Sequence, residues 1–82
     1  MKLYTIEVSD GVDHEVSVLG IASDRENAER MIDQTYGDYK VIEKKDYKNR
    51  EVLFSMRVEW SMNGRDFIID DIIVRTVYLN EV

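Results

Sequence analysis

Two adjacent carboxylates, Asp70 and Asp71, interrupt the isoleucine-rich run from Ile68 to Val74. Paired acids could hold a metal ion or exchange protons with a substrate. Neighbours in a strand point to opposite faces, so this pair meets one ion only if a β-bulge turns both side chains together. Two readings need no chemistry. A bulge at Asp70-Asp71 restores the alternation, or the charge guards the strand against edge-to-edge aggregation. His14 is the sole histidine and lies between Asp13 and Glu15. A general base needs a partner acid or nucleophile, and no motif supplies one. Without cysteine, a zinc site would be mostly carboxylate. Asp10, Asp13 and Glu15 lack the calcium-loop spacing, and no glycine-rich phosphate cradle is present. The sequence therefore predicts no enzyme, no cofactor and no metal.

Charge is the next candidate for function. The 82 residues carry a net charge of −6, unevenly placed. Residues 1–38 hold nine acidic and three basic residues, residues 39–50 two and five, and residues 51–82 six and three. An acidic field argues against direct nucleic-acid binding and for a basic partner surface. The candidate partner contacts are Asp10, Asp13 and Glu15 at a turn, and Asp24, Glu26, Glu29 and Asp33 on a helix. Lys45, Tyr47, Lys48 and Arg50 form the one basic segment with an interleaved aromatic. Exposed loops of this kind often carry contacts.

The elements that must position these residues follow from periodicity. Tyr4, Ile6 and Val8 alternate within a strand, and a turn follows at Asp10-Gly11-Val12-Asp13. A second strand runs from His14 to Ala22. An odd-length loop, with Gly11 supplying positive φ, would put Val16 and Val18 on the face of Tyr4, Ile6 and Val8. Gly20 inside this strand signals a bulge or close packing. Ser23-Asp24-Arg25-Glu26 reads as a capping box with Ser23 as the cap. Ala28, Met31, Ile32 and Tyr36 then make one apolar helical stripe, and Gly37 ends it. Glu26 and Arg30 are a favourable i,i+4 pair.

Three strands complete the chain. Tyr39 to Glu43 pairs with the strand after Glu51, with Val41 opposite Met56, Tyr39 opposite Val58, Glu43 opposite Phe54 and Lys45 opposite Val52. Lys44 to Arg50 then projects into solvent. Asn63-Gly64 signals a tight type I′ hairpin. That turn pairs Trp60 with Phe67 and Val58 with Ile69, and sets Arg57 opposite Asp70.

Residues 1–82 thus form a single α+β domain. It is an antiparallel five-stranded sheet with one helix on one face, in the order β-β-α-β-β-β. No apolar run reaches the ~18–20 residues of a membrane span, and the chain reads as cytoplasmic. One short helix leaves the second sheet face with Leu3, Leu19, Ile21, Leu53 and some of Ile68, Ile72, Ile73 and Val74. A partner, a homodimer or the sheet's own twist would have to cover them.

Lys2-Leu3-Tyr4, the strand end Gly20-Ile21-Ala22-Ser23, then Glu26 and Ala28-Glu29 in a short amphipathic helix resemble a pattern in small uncharacterised proteins of bacteriophages and mobile elements. The likeness spans roughly residues 2–37. Those proteins share no agreed catalytic residues, so no site is carried over. The resemblance implies a non-catalytic binder or inhibitor of host defence or nucleic-acid-processing machinery, anti-CRISPR-like, acting in the host cytoplasm. The alternative is a structural or regulatory homo-oligomer built through the second sheet face.

Overall fold

The computed structural model describes residues 1–11 and 13–79. Val12, part of the expected first turn, lies outside the described residues. The elements are β1 (Lys2–Asp10), β2 (Val16–Ala22), α1 (Arg25–Tyr36), β3 (Tyr39–Asp46), β4 (Val52–Trp60) and β5 (Ile68–Tyr78). The expected α+β fold is present. One antiparallel sheet runs β2-β1-β5-β4-β3, so the last strand is the central one. This central strand buries Ile72 and Val74 on its inner face and carries Asp71 and Arg75 among its outer residues. α1 covers the inner face. Beneath it lie Tyr4, Ile6 and Val8 of β1, Phe54, Met56 and Val58 of β4, and Ile72 and Val74 of β5, with Ala28 and Ile32 from the helix.

The helix ends show local chemistry overriding a motif. Asp24, in place of Ser23, is the N-cap, and its carboxylate accepts from the Asn27 amide at 2.7 Å. Ser23 accepts from the Asn27 side chain at 2.9 Å. A carboxylate outcompetes a hydroxyl there because it also meets the positive end of the helix dipole. Gly37 (φ 65°) ends the helix and donates to the Asp33 carbonyl at 2.9 Å.

Three registers differ from the sequence reading. First, the β1–β2 loop closes with Asp10 N–H donating to Glu15 O at 2.9 Å, and His14 (φ 58°), not Gly11, takes the positive φ. This even-length loop pairs Ser9 with Val16 and Glu7 with Val18, and a bulge follows at Leu19. Val16 and Val18 therefore point to the outer face, 66% and 62% exposed, while Leu19 packs against the core. Second, Val41 pairs with Val58 and Tyr39 with Trp60, and a bulge at Ile42 sets Glu43 opposite Arg57 and Lys45 opposite Ser55. Third, β5 slips by one residue: Trp60 faces Ile68, Val58 faces Asp70 and Arg57 faces Asp71. Asn63-Gly64 is no two-residue turn. The Asn63 carboxamide oxygen accepts from Arg65 N–H at 2.8 Å and Asp66 N–H at 3.0 Å, building a wider loop. A one-residue slip exchanges the faces of a whole strand. Here it sends Ile72 and Val74 inward, both fully buried.

No bulge forms at Asp70-Asp71. Asp70 points inward and is 6% exposed, while Asp71 points outward to Arg57 Nε at 2.8 Å. The irregularity between β4 and β5 falls instead at Leu53. On the outer face the ion pairs Arg57–Asp71 and Arg75–Glu7 flank Ile73, which is partly buried. The expected bare isoleucine face is thus largely resolved within the chain, and Leu19 and Leu53 pack against the core.

Two glycines allow close approach. A Cβ on Gly11 would lie 1.9 Å from the Ile69 backbone oxygen, and one on Gly20 would lie 2.1 Å from the Met31 methyl. Gly11→Ala should lower stability by about 1–3 kcal/mol. Gly20→Ala should cost about 1 kcal/mol or less, because a methionine tip can swing aside. Urea midpoints of the two variants check this ordering.

Candidate functional site

Asp70 is the buried charged residue among those described. β5 places it beneath the C-terminal turn of α1, beside the last residue of β4. Its Oδ2 accepts from Trp60 Nε1 at 2.9 Å and from Tyr36 Oη at 3.0 Å, and its Oδ1 accepts from Gly11 N–H at 3.4 Å. Hydrogen bonds to an ionised acceptor contribute about 1.5–3 kcal/mol each, which offsets the desolvation of a carboxylate without a cationic partner. The donors are themselves positioned by ring packing. Tyr36 meets Trp60 edge to face at 5.7 Å and Tyr39 at 5.9 Å between centroids. Tyr39 Oη donates to Asp33.

A cleft of about 260 Å³ opens over this cluster, lined by Val8, Asp10, Ser17, Leu19, Thr35, Tyr36, Trp60 and Asp70. Its lining combines apolar side chains, hydroxyls and two carboxylates. Burial, then the hydrogen bond to Asp70, then the charges of Asp70 and Asp10, push the Tyr36 phenol well above its ordinary pKa. Burial and the bond to Asp33 push Tyr39 up to about 12. Neither phenol supplies a base at neutral pH. Among the described residues, no group of three or more histidine or acidic side chains is arranged to hold a metal ion.

The candidate contacts named from sequence separate into three places. Asp10, Asp13 and Glu15 lie at the β1–β2 turn, at the same end of the sheet as the cleft. The helix acids are engaged within the chain. Asp24 caps the helix, Glu26 pairs with Arg30 at 3.5 Å, Glu29 meets Arg25 at 3.4 Å and Lys44 at 3.1 Å, and Asp33 accepts from Tyr39. Lys45, Tyr47, Lys48 and Arg50 lie at the opposite end.

The segment from Lys44 is not a free arm throughout, as the sequence suggested. Strand β3 continues to Asp46, which pairs with Arg25, while Arg25 and Lys44 cover the Phe54 ring at 4.9 and 5.3 Å. Lys45 lies over Tyr47 at 5.0 Å, and Arg50 over Tyr78 at 5.1 Å. Asn49 closes the loop by accepting from Glu51 N–H at 2.9 Å and Val52 N–H at 2.8 Å.

Sequence reasoning singled out Asp70 but not Tyr36 or Trp60 as its partners. The signal was indirect: an acid inside an apolar strand demands donors, and tyrosine and tryptophan are apolar residues that carry them. No protein-family model matches this chain, and no curated protein or solved structure matches it either.

Asp70→Ala strands the Trp60 and Tyr36 donors and should cost about 2–4 kcal/mol in denaturant unfolding. Alkaline pH offers a second check. A phenol whose folded pKa is raised contributes stability that is complete below the ordinary tyrosine value of about 10. That stability falls as pH rises through the folded value, about 12 for Tyr39 and higher for Tyr36. Two phenolates should therefore appear late in a near-ultraviolet absorbance titration of the folded protein. Tyr36→Phe should remove the later one.

Proposed function

We propose that this protein is a non-catalytic protein-binding module that docks its acidic end on a basic surface of a partner. The observation that carries this reading is the segregation of charge along the molecule, whose principal extents are 50 × 21 × 20 Å. The antiparallel order brings the β1–β2 turn, the end of α1 and the β4–β5 loop to one end. Asp10, Asp13, Glu15, Asp33, Asp38 and Asp66 gather there with the buried Asp70, against Arg65 in the same loops. The basic segment lies at the other end. An acidic surface of this kind favours encounter with cationic sites, including those that handle nucleic-acid phosphates. With the resemblance over residues 2–37, the finer reading is a phage-type inhibitor that occludes a host nucleic-acid-processing or defence protein. The docking surface moves from the helix, whose acids are paired within the chain, to the loop end.

A second reading has its own support. β2 is an edge strand without a charged residue, and Val16, Val18 and Ile21 are 66%, 62% and 62% exposed on its outer side. The other edge, β3, carries Lys40, Glu43, Lys44, Lys45 and Asp46. Charged edges resist strand pairing, and a bare one invites it. This edge supports a homo-oligomer more directly than the centre of the second face does.

Capture of a partner from lysate of the source cell should weaken steeply with salt. Asp13→Lys combined with Glu15→Lys should reduce it at least tenfold, while Glu26→Lys changes it little. Capture indifferent to salt and to the turn variant overturns the docking reading. For the second reading, sedimentation should show a concentration-dependent dimer that Val18→Lys dissociates. A monomer at high concentration removes that reading.

A further inference from the structure

We infer that β2 pairs edge to edge with β2 of a second copy of this chain, antiparallel and with the two-fold axis at Val18. The inference rests on the homo-oligomer reading above and assigns its interface. Among the described strands β2 has only β1 beside it. Asp10 N–H bonds to Glu15 O, and bonded pairs in an antiparallel ladder recur at every second residue. Tyr4, Ile6, Val8 and Asp10 therefore turn their backbone groups to β2, and Thr5, Glu7 and Ser9 turn theirs to β5. The β2 residues opposite Ser9, Glu7 and Thr5 are Val16, Val18 and Ile21. Those three present their N–H and C=O groups to the open edge. They also carry the most exposed apolar side chains of the strands. An edge with open backbone groups and no charge is a template for another strand.

Register and charge select a second copy as that strand. Val18 is the middle one of the three open residues, so β2 is complementary to itself about that position. Val18 then stands opposite Val18, and Val16 opposite Ile21 of the second copy. Ser17 stands opposite Leu19-Gly20, just as Ile6 of β1 spans the same bulge within the chain. In this register every open backbone group of the three finds its mate. Their valine and isoleucine side chains meet across the seam on one face, a favourable cross-strand pairing. Charge fixes the direction. The antiparallel approach brings Glu15 to Ala22 and Ser23 of the second copy, the end of the strand beside Arg30. A parallel approach sets the two Glu15 carboxylates side by side, which is unfavourable. The far edge, β3, carries Lys40, Glu43, Lys44, Lys45 and Asp46. Its charges stop further strand addition, so the pairing closes as a two-fold dimer.

The chain has no cysteine, so single cysteines placed along the edge report the register. At the axis the two residue-18 Cα atoms stand about 5.5 Å apart, within disulfide reach. The two residue-16 Cα atoms stand roughly 14 Å apart, beyond it. Under mild oxidation at a concentration where sedimentation shows the dimer, Val18→Cys should cross-link at least tenfold faster than Val16→Cys. Ile21→Cys alone should be as slow as Val16→Cys, and a mixture of those two variants should cross-link fast. The mixture decides the register if Val18→Cys weakens the seam. A monomer at high concentration overturns the inference together with the homo-oligomer reading, and leaves the edge to a strand from another protein. A dimer in which Val16→Cys cross-links as fast as Val18→Cys, or in which neither Val18→Cys nor the mixture cross-links, overturns the inference alone. The homo-oligomer reading then stands through another surface.

Discussion

The fold depends on where one carboxylate is allowed to go. Asp70 sits in the middle of an apolar strand, and each possible register of β5 sends either Asp70 or Asp71 under the helix. An inward Asp71 would meet Met56, which offers no donor. An inward Asp70 meets the Trp60 indole and the Tyr36 hydroxyl, at 2.9 and 3.0 Å. Burying a charge without partners costs more than most packing gains can offset, so the register with donors wins. The same choice puts Ile72 beside Met56 and Val74 beside Phe54 in the core. It also brings Arg57 opposite Asp71 on the far side. One hydrogen-bonded acid thus joins β5 to β4, to the end of α1 and to the start of the β1–β2 turn.

The outer face follows from that register. Its centre is a lattice of cross-strand charges, Glu43 beside Arg57, Arg57 with Asp71, and Arg75 with Glu7. Exposed pairs of this kind add little stability. What they do is cover apolar neighbours with methylene stems and keep the sheet face polar. The most exposed apolar side chains of the strands are on β2, where the tight loop turned Val16 and Val18 outward. The two ends of the sheet and its two edges therefore differ in character: one end acidic, one edge charged and one edge bare.

Much of the architecture was legible in the sequence. The helix from its stripe Ala28, Met31, Ile32 and Tyr36, its stop at Gly37, and the five strands all followed from periodicity. Gly20 signalled both the bulge and the close contact with Met31. The misses share a cause. Val16 and Val18 looked like core because alternation reports period, not face, and the loop length that sets the face was hidden in turn chemistry. The Asn63-Gly64 signal was real, but the Asn63 side chain used its oxygen to build a wider loop, which moved β5 by one residue. Asp70 stood out as an anomaly. Its donors lie 10 and 34 residues away in sequence, so their convergence required the fold.

The central position of β5 has a consequence for how the chain reaches this shape. β1 and β5 pair along their whole lengths, from Lys2 opposite Tyr78 to Asp10 opposite Asp70. The strand at the heart of the sheet is therefore the last of the five to leave the ribosome. Until it arrives, β1 has only β2 beside it and β4 only β3, and two separate hairpins must wait with unpaired inner edges. Pairings this distant in sequence make folding slow and leave strand edges open for longer. During synthesis, the lysines and arginines clustered around the β3–β4 tip give the waiting second hairpin a charge opposite to that of the first. That contrast favours meeting of the two halves of one chain over stacking of like halves from different chains.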